Sequence, residues 1–173
     1  LAEFGHIDIL VNNAGVTIPQ SILETTLENF HTIINVNVLA PFLLTQIFAP
    51  SMIAKKKGKI VNVTSRAAIR AFPTGSVYSA SKGALQLLTQ SMAVEFGPHN
   101  IQTNSVAPTV TMTPMGDNAW PPSPRRDAKL AKIPTGRFAE PEEVADAVLY
   151  LASENSNFIN GVELPIDGGE GAR

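Results

Sequence analysis

Short continuous apolar runs alternate along this chain with longer periodic stretches. Ile7 to Val11 (Ile-Asp-Ile-Leu-Val) is β-branched and nearly all apolar, and Asn12-Asn13-Ala14-Gly15 closes it. Such a run predicts a strand covered on both faces. From 26 to 56, Leu27, Phe30, Ile34, Val38, Phe42 and Ile47 recur mostly at three- and four-residue steps, which predicts a long helix. Pro41 should kink it, Pro50 lies near its end, and Lys55-Lys56-Lys57-Gly58 brings positive charge and a glycine where a helix stops. Lys59 to Thr64 reads as a second strand and 77 to 96 as a second long helix, ended by Gly97-Pro98. Ile101 to Ala107 reads as a third strand, closed by Pro108. Residues 109–134 show no period and carry Pro114, Pro121, Pro122, Pro124 and Pro134, so they read as a functional excursion or lid. Pro141 opens a helix that runs to about Ala152, with Glu142 and Glu143 at its positive end. Val162 to Ile166 is a fourth strand, ended by Asp167-Gly168-Gly169.

Strands that alternate with long helical crossovers imply a parallel sheet with helices on both faces, an α/β fold. With 173 residues, and no repeat or linker, residues 1–173 read as one domain or most of one. A content of 44% hydrophobic and 16% charged residues excludes a disordered tail. A net charge of -2 leaves no basic excess for nucleic acid. Zero cysteines excludes disulfides, thiolate metal sites and cysteine nucleophiles, and fits a reducing, cytoplasmic setting. No uninterrupted apolar run approaches the ~20 residues of a membrane helix, and Leu1 to Gly5, with no basic region followed by an apolar stretch, is not expected to be a signal peptide. His6, His31 and His99 lack ligand spacing, so no metal site is expected.

Ligands of an open parallel sheet bind beyond the carboxyl ends of its strands. Those ends here are Asn12 to Gly15, Thr64-Ser65, Pro108-Thr109 and Asp167-Gly168. Tyr78 and Lys82 are four residues apart, so on a helix they share a face. A nearby ammonium favours the phenolate, and a phenol so tuned can exchange a proton with a carbonyl or alcohol oxygen. Ser65 ends the preceding strand, and strand end and helix start meet at one sheet edge. A hydroxyl, a phenol and an ammonium should therefore converge there. Asn37 lies in the middle of a helix and needs a partner.

Taken together, Asn12-Asn13-Ala14-Gly15, Asn37, Ser65, Tyr78-x-x-x-Lys82, Pro108-x-x-x-x-Thr113 and the closing Gly161 to Gly169 resemble the classical short-chain dehydrogenase/reductases over essentially the whole chain. The resemblance implies a Rossmann-type doubly wound parallel sheet that binds a nicotinamide dinucleotide and performs carbonyl–alcohol redox chemistry. It implies Tyr78 as acid/base and Lys82 as the group that lowers its pKa and holds the nicotinamide ribose. Ser65 would hold the substrate oxygen, and Asn37 would support a water in a proton relay. Asn13, Ala14, Gly15, Pro108, Thr111 and Thr113 would contact NADP or NAD, with NADP preferred. Apart from the resemblance, Met115 and Trp120 in the lid read as lining a substrate pocket, with cover for the core as the alternative.

The family's glycine-rich first turn does not occur in this sequence. The resemblance therefore implies a truncated domain, the C-terminal portion only, whose strands resemble the family's 4-5-6-7. Thr109 stands where the family usually has glycine. The stretch from Asn104 to Gly116, followed by Trp120, and Ile133 to Glu140 look like the L-xylulose (dicarbonyl) reductase branch, whereas Glu170-Gly171-Ala172-Arg173 does not extend that likeness. The implied activity is reduction of a small ketose or dicarbonyl. The alternatives are a 3-oxoacyl-thioester reductase, or an inert fragment acting through oligomer contacts. The expected partners are a small-molecule carbonyl or alcohol and a second copy of the chain, as homodimer or homotetramer, through helices 26–54 and 77–96. The simpler reading of those apolar faces is burial against the absent segment. Neither nucleic acid nor membrane is expected as a partner.

Overall fold

The computed structural model describes residues 5–172. Four parallel strands form one sheet in the order β1-β2-β3-β4: β1 Ile9–Asn12, β2 Gly58–Val63, β3 Ile101–Pro108 and β4 Glu163–Ile166. All eight residues of β3 are buried, as its continuous apolar and small-residue run requires of a central strand. On one face Leu10, Ile60 and Ile101 pack with Met52, while on the other Val61 and Val106 pack with Leu151. The sheet is thus covered on both sides.

Helices α1 Leu27–Ile34, α2 Ala40–Lys55 and α3 Ser76–Phe96 lie on the first face, and α6 Pro141–Ala152 covers the second. The single helix expected over 26 to 56 is interrupted at Asn35–Leu39, where the backbone widens into π-helix. The break lies upstream of Pro41, because a proline at that position cannot donate to the Asn37 carbonyl four residues back. The run Leu27–Lys55 is long and apolar enough by length and composition to cross a membrane. Here it lies along the sheet and buries Ile33, Asn37, Thr45, Ala49 and Met52.

Three further boundaries differ from the sequence reading. The first strand is shifted toward its polar end, so Asn12 lies inside it and bonds to Asn62 on β2, Nδ2 donating to Oδ1 across 2.8 Å. The stop of α2 is Lys56, at φ 53°, and Gly58 already belongs to β2. Gly58 is glycine for another reason: a Cβ there would lie 2.6 Å from the Met52 sulfur. The lid contains two short helices, α4 Pro114–Ala119 and α5 Pro124–Leu130. Each starts with a proline behind a capping hydroxyl, Thr113 accepting from the Gly116 N–H and Ser123 from the Arg126 N–H.

Candidate active site

Ser65, Tyr78 and Lys82 come together at the carboxyl edge of the sheet. Ser65 is the second residue beyond β2, and its hydroxyl accepts the Ala67 N–H at 3.1 Å, which fixes the turn it caps. Tyr78 is the third residue of α3. The turn before it is tightly built: Thr74 has φ 65°, an uncommon value for a β-branched residue, and the Phe72 ring lies so close over Gly75 that no Cβ would fit. One helical turn after Tyr78, Lys82 is 3% exposed and donates to the Val63 carbonyl at 2.8 Å. Its Nζ is 5.8 Å from the centre of the Tyr78 ring.

Electrostatics at the site depart from the sequence expectation. Burial pushes the Tyr78 phenol above its usual value, and a hydrogen bond with Ser65 pulls it only partly back. Burial also lowers the Lys82 ammonium to about 8. The expected lowering of the Tyr78 pKa by Lys82 is therefore corrected: desolvation of the phenol sets the direction, and the ammonium is aimed at the Val63 carbonyl and the ring face. A protonated phenol beside a charged lysine is the state at neutral pH.

Asn37 is wholly buried in the π-helical turn. Its Oδ1 accepts from the Val16 N–H at 2.9 Å, and its Nδ2 donates to the Val16 carbonyl at 3.0 Å and to the Ser81 hydroxyl at 2.9 Å. The side chain therefore clamps the loop after β1 against α3, and both of its donors are used. In that loop, a Cβ on Gly15 would stand 3.2 Å from Lys82 Nζ and 3.5 Å from Asn37 Oδ1, so glycine lets the backbone approach the cation closely. Asn13 and Ala14 are exposed beside it.

Beyond β3, Thr111 pairs in a parallel bridge with Ala139, in which the Met112 N–H and the Val110 carbonyl do the bonding. That pairing leaves the N–H of Thr111 outside it. The Thr113 hydroxyl caps α4, which ties down one of the expected cofactor contacts. Gly116 must be glycine there, since a Cβ would strike the Thr111 carbonyl. Pro108 ends β3 opposite Ile166. Trp120 packs on Phe138, ring centres 6.4 Å apart, with the Arg125 guanidinium 4.3 Å from its ring, so its contacts run through the lid itself. Met115 is 45% exposed.

Several supporting residues escaped the sequence reading. Ser81 links Asn37 to the Tyr78 carbonyl, to which its hydroxyl donates at 2.7 Å. Its spacing of three from Tyr78 and the unmet need of Asn37 were the available signals. Thr109 donates to Glu170 at 2.7 Å, and Lys129 of α5 reaches the other Glu170 oxygen at 2.6 Å. Glu163 accepts from Gln86 on α3.

Comparison with known proteins agrees with this architecture. The family model described as Enoyl-(Acyl carrier protein) reductase matches residues 1–170. L-xylulose reductase of Mesocricetus auratus is 48% identical over 170 residues, covering 98% of this chain and 70% of that protein. The chain belongs to the short-chain dehydrogenase/reductase family. Members of this family are NAD(P)-dependent oxidoreductases. A second member, the 3-oxoacyl-(acyl-carrier-protein) reductase of Thermotoga maritima, is 41% identical, covering 96% of this chain and 67% of its own. Among solved structures of short-chain dehydrogenases, gluconate 5-dehydrogenase from Burkholderia cenocepacia, in complex with NADP and tartrate, superimposes with a TM-score of 0.95 at 35% identity. That match covers 99% of this chain and 68% of the other.

Proposed function

We propose that the protein reduces the carbonyl of a small ketose or dicarbonyl with NADP, or NAD, as hydride carrier, in the manner of L-xylulose reductase. The observation that carries this reading is Tyr78, a buried phenol held in its protonated form next to Ser65 and one helical turn from Lys82. A protonated acid suits delivery of a proton to a developing alkoxide, hence the reductive direction.

The residues fit a nicotinamide dinucleotide. Gly15 leaves open the space a Cβ would fill against Lys82, Asn13 and Ala14 are exposed at the same edge, and the Thr111 N–H lies outside the bridge to Ala139. Asn13, Ala14 and Gly15 would hold its adenosine side, and Pro108, Thr111 and Thr113 its nicotinamide half. Lys82 would hold the nicotinamide ribose. The chemistry supplied by a bound nicotinamide is hydride transfer. Ser65 holds the substrate oxygen and Tyr78 gives it the phenolic proton. Lys82 stabilises the phenolate left behind, and Asn37 supports the water that returns a proton through Lys82. Met115 and Trp120 close the pocket from the lid.

The substrate assignment follows the likeness to L-xylulose reductases. The similarity to a 3-oxoacyl-thioester reductase supports a second reading. A panel of L-xylulose, diacetyl and a β-ketoacyl thioester separates them: preference for the thioester overturns the first. Tyr78→Phe should lower kcat by about 10²–10⁴ with the fold intact, and near-normal turnover in that variant refutes the assigned role.

A second copy of the chain is the proposed partner. Ile34, Val38, Leu39, Phe42, Leu87 and Leu88 line an open apolar groove between the Leu27–Lys55 run and α3. Leu87 is 65% exposed there. Light scattering should give a dimer or tetramer, and Leu87→Glu should shift it toward monomer. A cytoplasmic setting, from the cysteine-free composition, completes the reading.

A further inference from the structure

The strand end that presents Ser65 is held through Thr64, whose N–H donates to the Val106 carbonyl at 2.9 Å and whose two hydroxyl contacts are both bridged by a hydrogen in only one protonation state of Glu163. The Thr64 hydroxyl lies 2.9 Å from the Val106 carbonyl oxygen and 2.8 Å from Glu163 Oε1. A hydroxyl has one proton to give, and a carbonyl and a carboxylate both only accept. With Glu163 ionised, one of these two close oxygen pairs has no hydrogen between its members. With Glu163 as the neutral acid, its O–H donates to Thr64 Oγ1, Thr64 donates to Val106, and the Gln86 amide donates to Glu163 Oε2 at 3.0 Å. Every contact is then made.

The surroundings agree. Glu163 pairs in register with Ser105, a neutral residue, and its neighbours Leu164 and Ile166 pack with Val106 and Leu151 toward α6. On the opposite face α3 supplies neutral Gln86, and the cation that bears on Glu163 is Arg66. Arg66 is itself paired with Asp167 at 2.9 Å. Burial raises the Glu163 carboxyl above the ordinary carboxylate range, against the opposing pull of Thr64 and Arg66.

We propose that Glu163 is a positioning residue that works as a neutral acid, fixing Thr64 and through it the strand end that carries Ser65. This rests on the reading of Ser65 as the group that holds the substrate oxygen. Glu163 touches no reacting atom. Its ionisation leaves one hydroxyl hydrogen for two close oxygens, and since the Val106 carbonyl also accepts the Thr64 N–H at 2.9 Å, the hydroxyl turns to the carboxylate and leaves an unbridged contact with the Val106 oxygen, which lets the Thr64-Ser65 turn shift.

Two measurements on the whole enzyme decide the matter. The first is the carboxyl resonance of Glu163 in carbon-13-labelled protein, assigned by its loss in Glu163→Gln and followed with pH. It should titrate well above the ordinary value of about 4.3. The second compares Glu163→Ala and Glu163→Gln. The alanine variant should lose kcat, up to about a hundredfold if Ser65 moves by about 1 Å, with KM for the cofactor unchanged. Glutamine has a donor and an acceptor in the same places, so it should restore most of the rate. The alkaline fall in kcat that reports Glu163 ionisation should be absent from it. A carboxyl that titrates in the ordinary range overturns the proposal, as does a glutamine variant as impaired as alanine. Should Glu163→Ala fail to fold, the resonance and the glutamine profile still decide. Full turnover in Ser65→Ala would instead refute the reading of the site, and the resonance would still report the state of Glu163.

Discussion

Lys82 donates an ammonium N–H to the carbonyl of Val63 across 2.8 Å, so the cation of the site is moored to the last residue of β2 and not to the phenol of Tyr78. The two groups are neighbours on one helix face, yet each answers first to burial. This separates the site into an acid that keeps its proton and a cation that is near losing its own.

The pH dependence follows. In the proposed mechanism reduction needs both the protonated phenol and the charged lysine, and burial lowers the Lys82 ammonium to about 8. In Glu163→Gln, where no carboxyl titrates at that position, the rate of reduction should be level below that value and fall as pH rises through it, with Tyr78 still protonated. A rate profile in the direction of reduction checks this. A fall confined to acid pH would contradict it.

Lys82→Met should abolish turnover and yet raise stability at pH 7. A buried cation whose folded pKa lies below its unfolded value costs stability. The sign is fixed by protons: below about 8 both states hold the proton and the whole cost is present, and between 8 and 10.5 it fades as the folded state alone gives the proton up. Less the bond to Val63, the gain should be about 1–3 kcal/mol. Denaturant unfolding of both proteins at pH 7 and pH 10 should show the gap narrowing at the higher pH.

Gly15→Ala tests the close approach to Lys82. The new methyl would stand 3.2 Å from Nζ, tighter than an ordinary contact, and would push the lysine or the loop away. Dinucleotide affinity should fall by about tenfold, equivalent to ~1.4 kcal/mol, while the melting temperature stays nearly constant. Fluorescence titration with NADPH measures it, and unchanged affinity would remove Gly15 from the binding surface.

Thr109→Gly should loosen the lid. It deletes a hydrogen bond to a carboxylate with a side chain only 10% exposed, worth about 1.5–3 kcal/mol. KM for the carbonyl substrate should rise more than kcat falls, and Thr109→Ser should behave like the parent. Steady-state kinetics beside thermal unfolding distinguish these outcomes.

What the sequence revealed follows from how local each signal is. The strands were legible because parallel strands buried on both faces read as continuous apolar runs, and β3 is buried along its whole length. Tyr78 and Lys82 were legible because four residues on a helix is one turn. The π-helical turn at Asn35–Leu39 was not, because it depends on which carbonyl a proline deprives of a donor. The lid helices were missed although Thr113-Pro114 and Ser123-Pro124 carry the same opening signal that was read correctly at Pro141. Six- and seven-residue helices are too short to show a period. The direction of the Tyr78 shift was lost for a deeper reason: spacing places two groups on one face but says nothing of how much water remains around them. Glu163 and Glu170 were invisible as functional partners because each meets its contacts from the far end of the chain.

The link from Thr109 through Glu170 to Lys129 joins the mouth of the lid, its second helix and the turn Glu170–Ala172. Thr109 stands where the resemblance places a glycine, and its partner Glu170 lies in the turn Glu170–Ala172. Anyone grafting a lid from another dehydrogenase onto this scaffold, to borrow its substrate preference, must therefore transplant two distant pieces at once. A donor segment with glycine at its entrance would strand the carboxylate it was meant to meet.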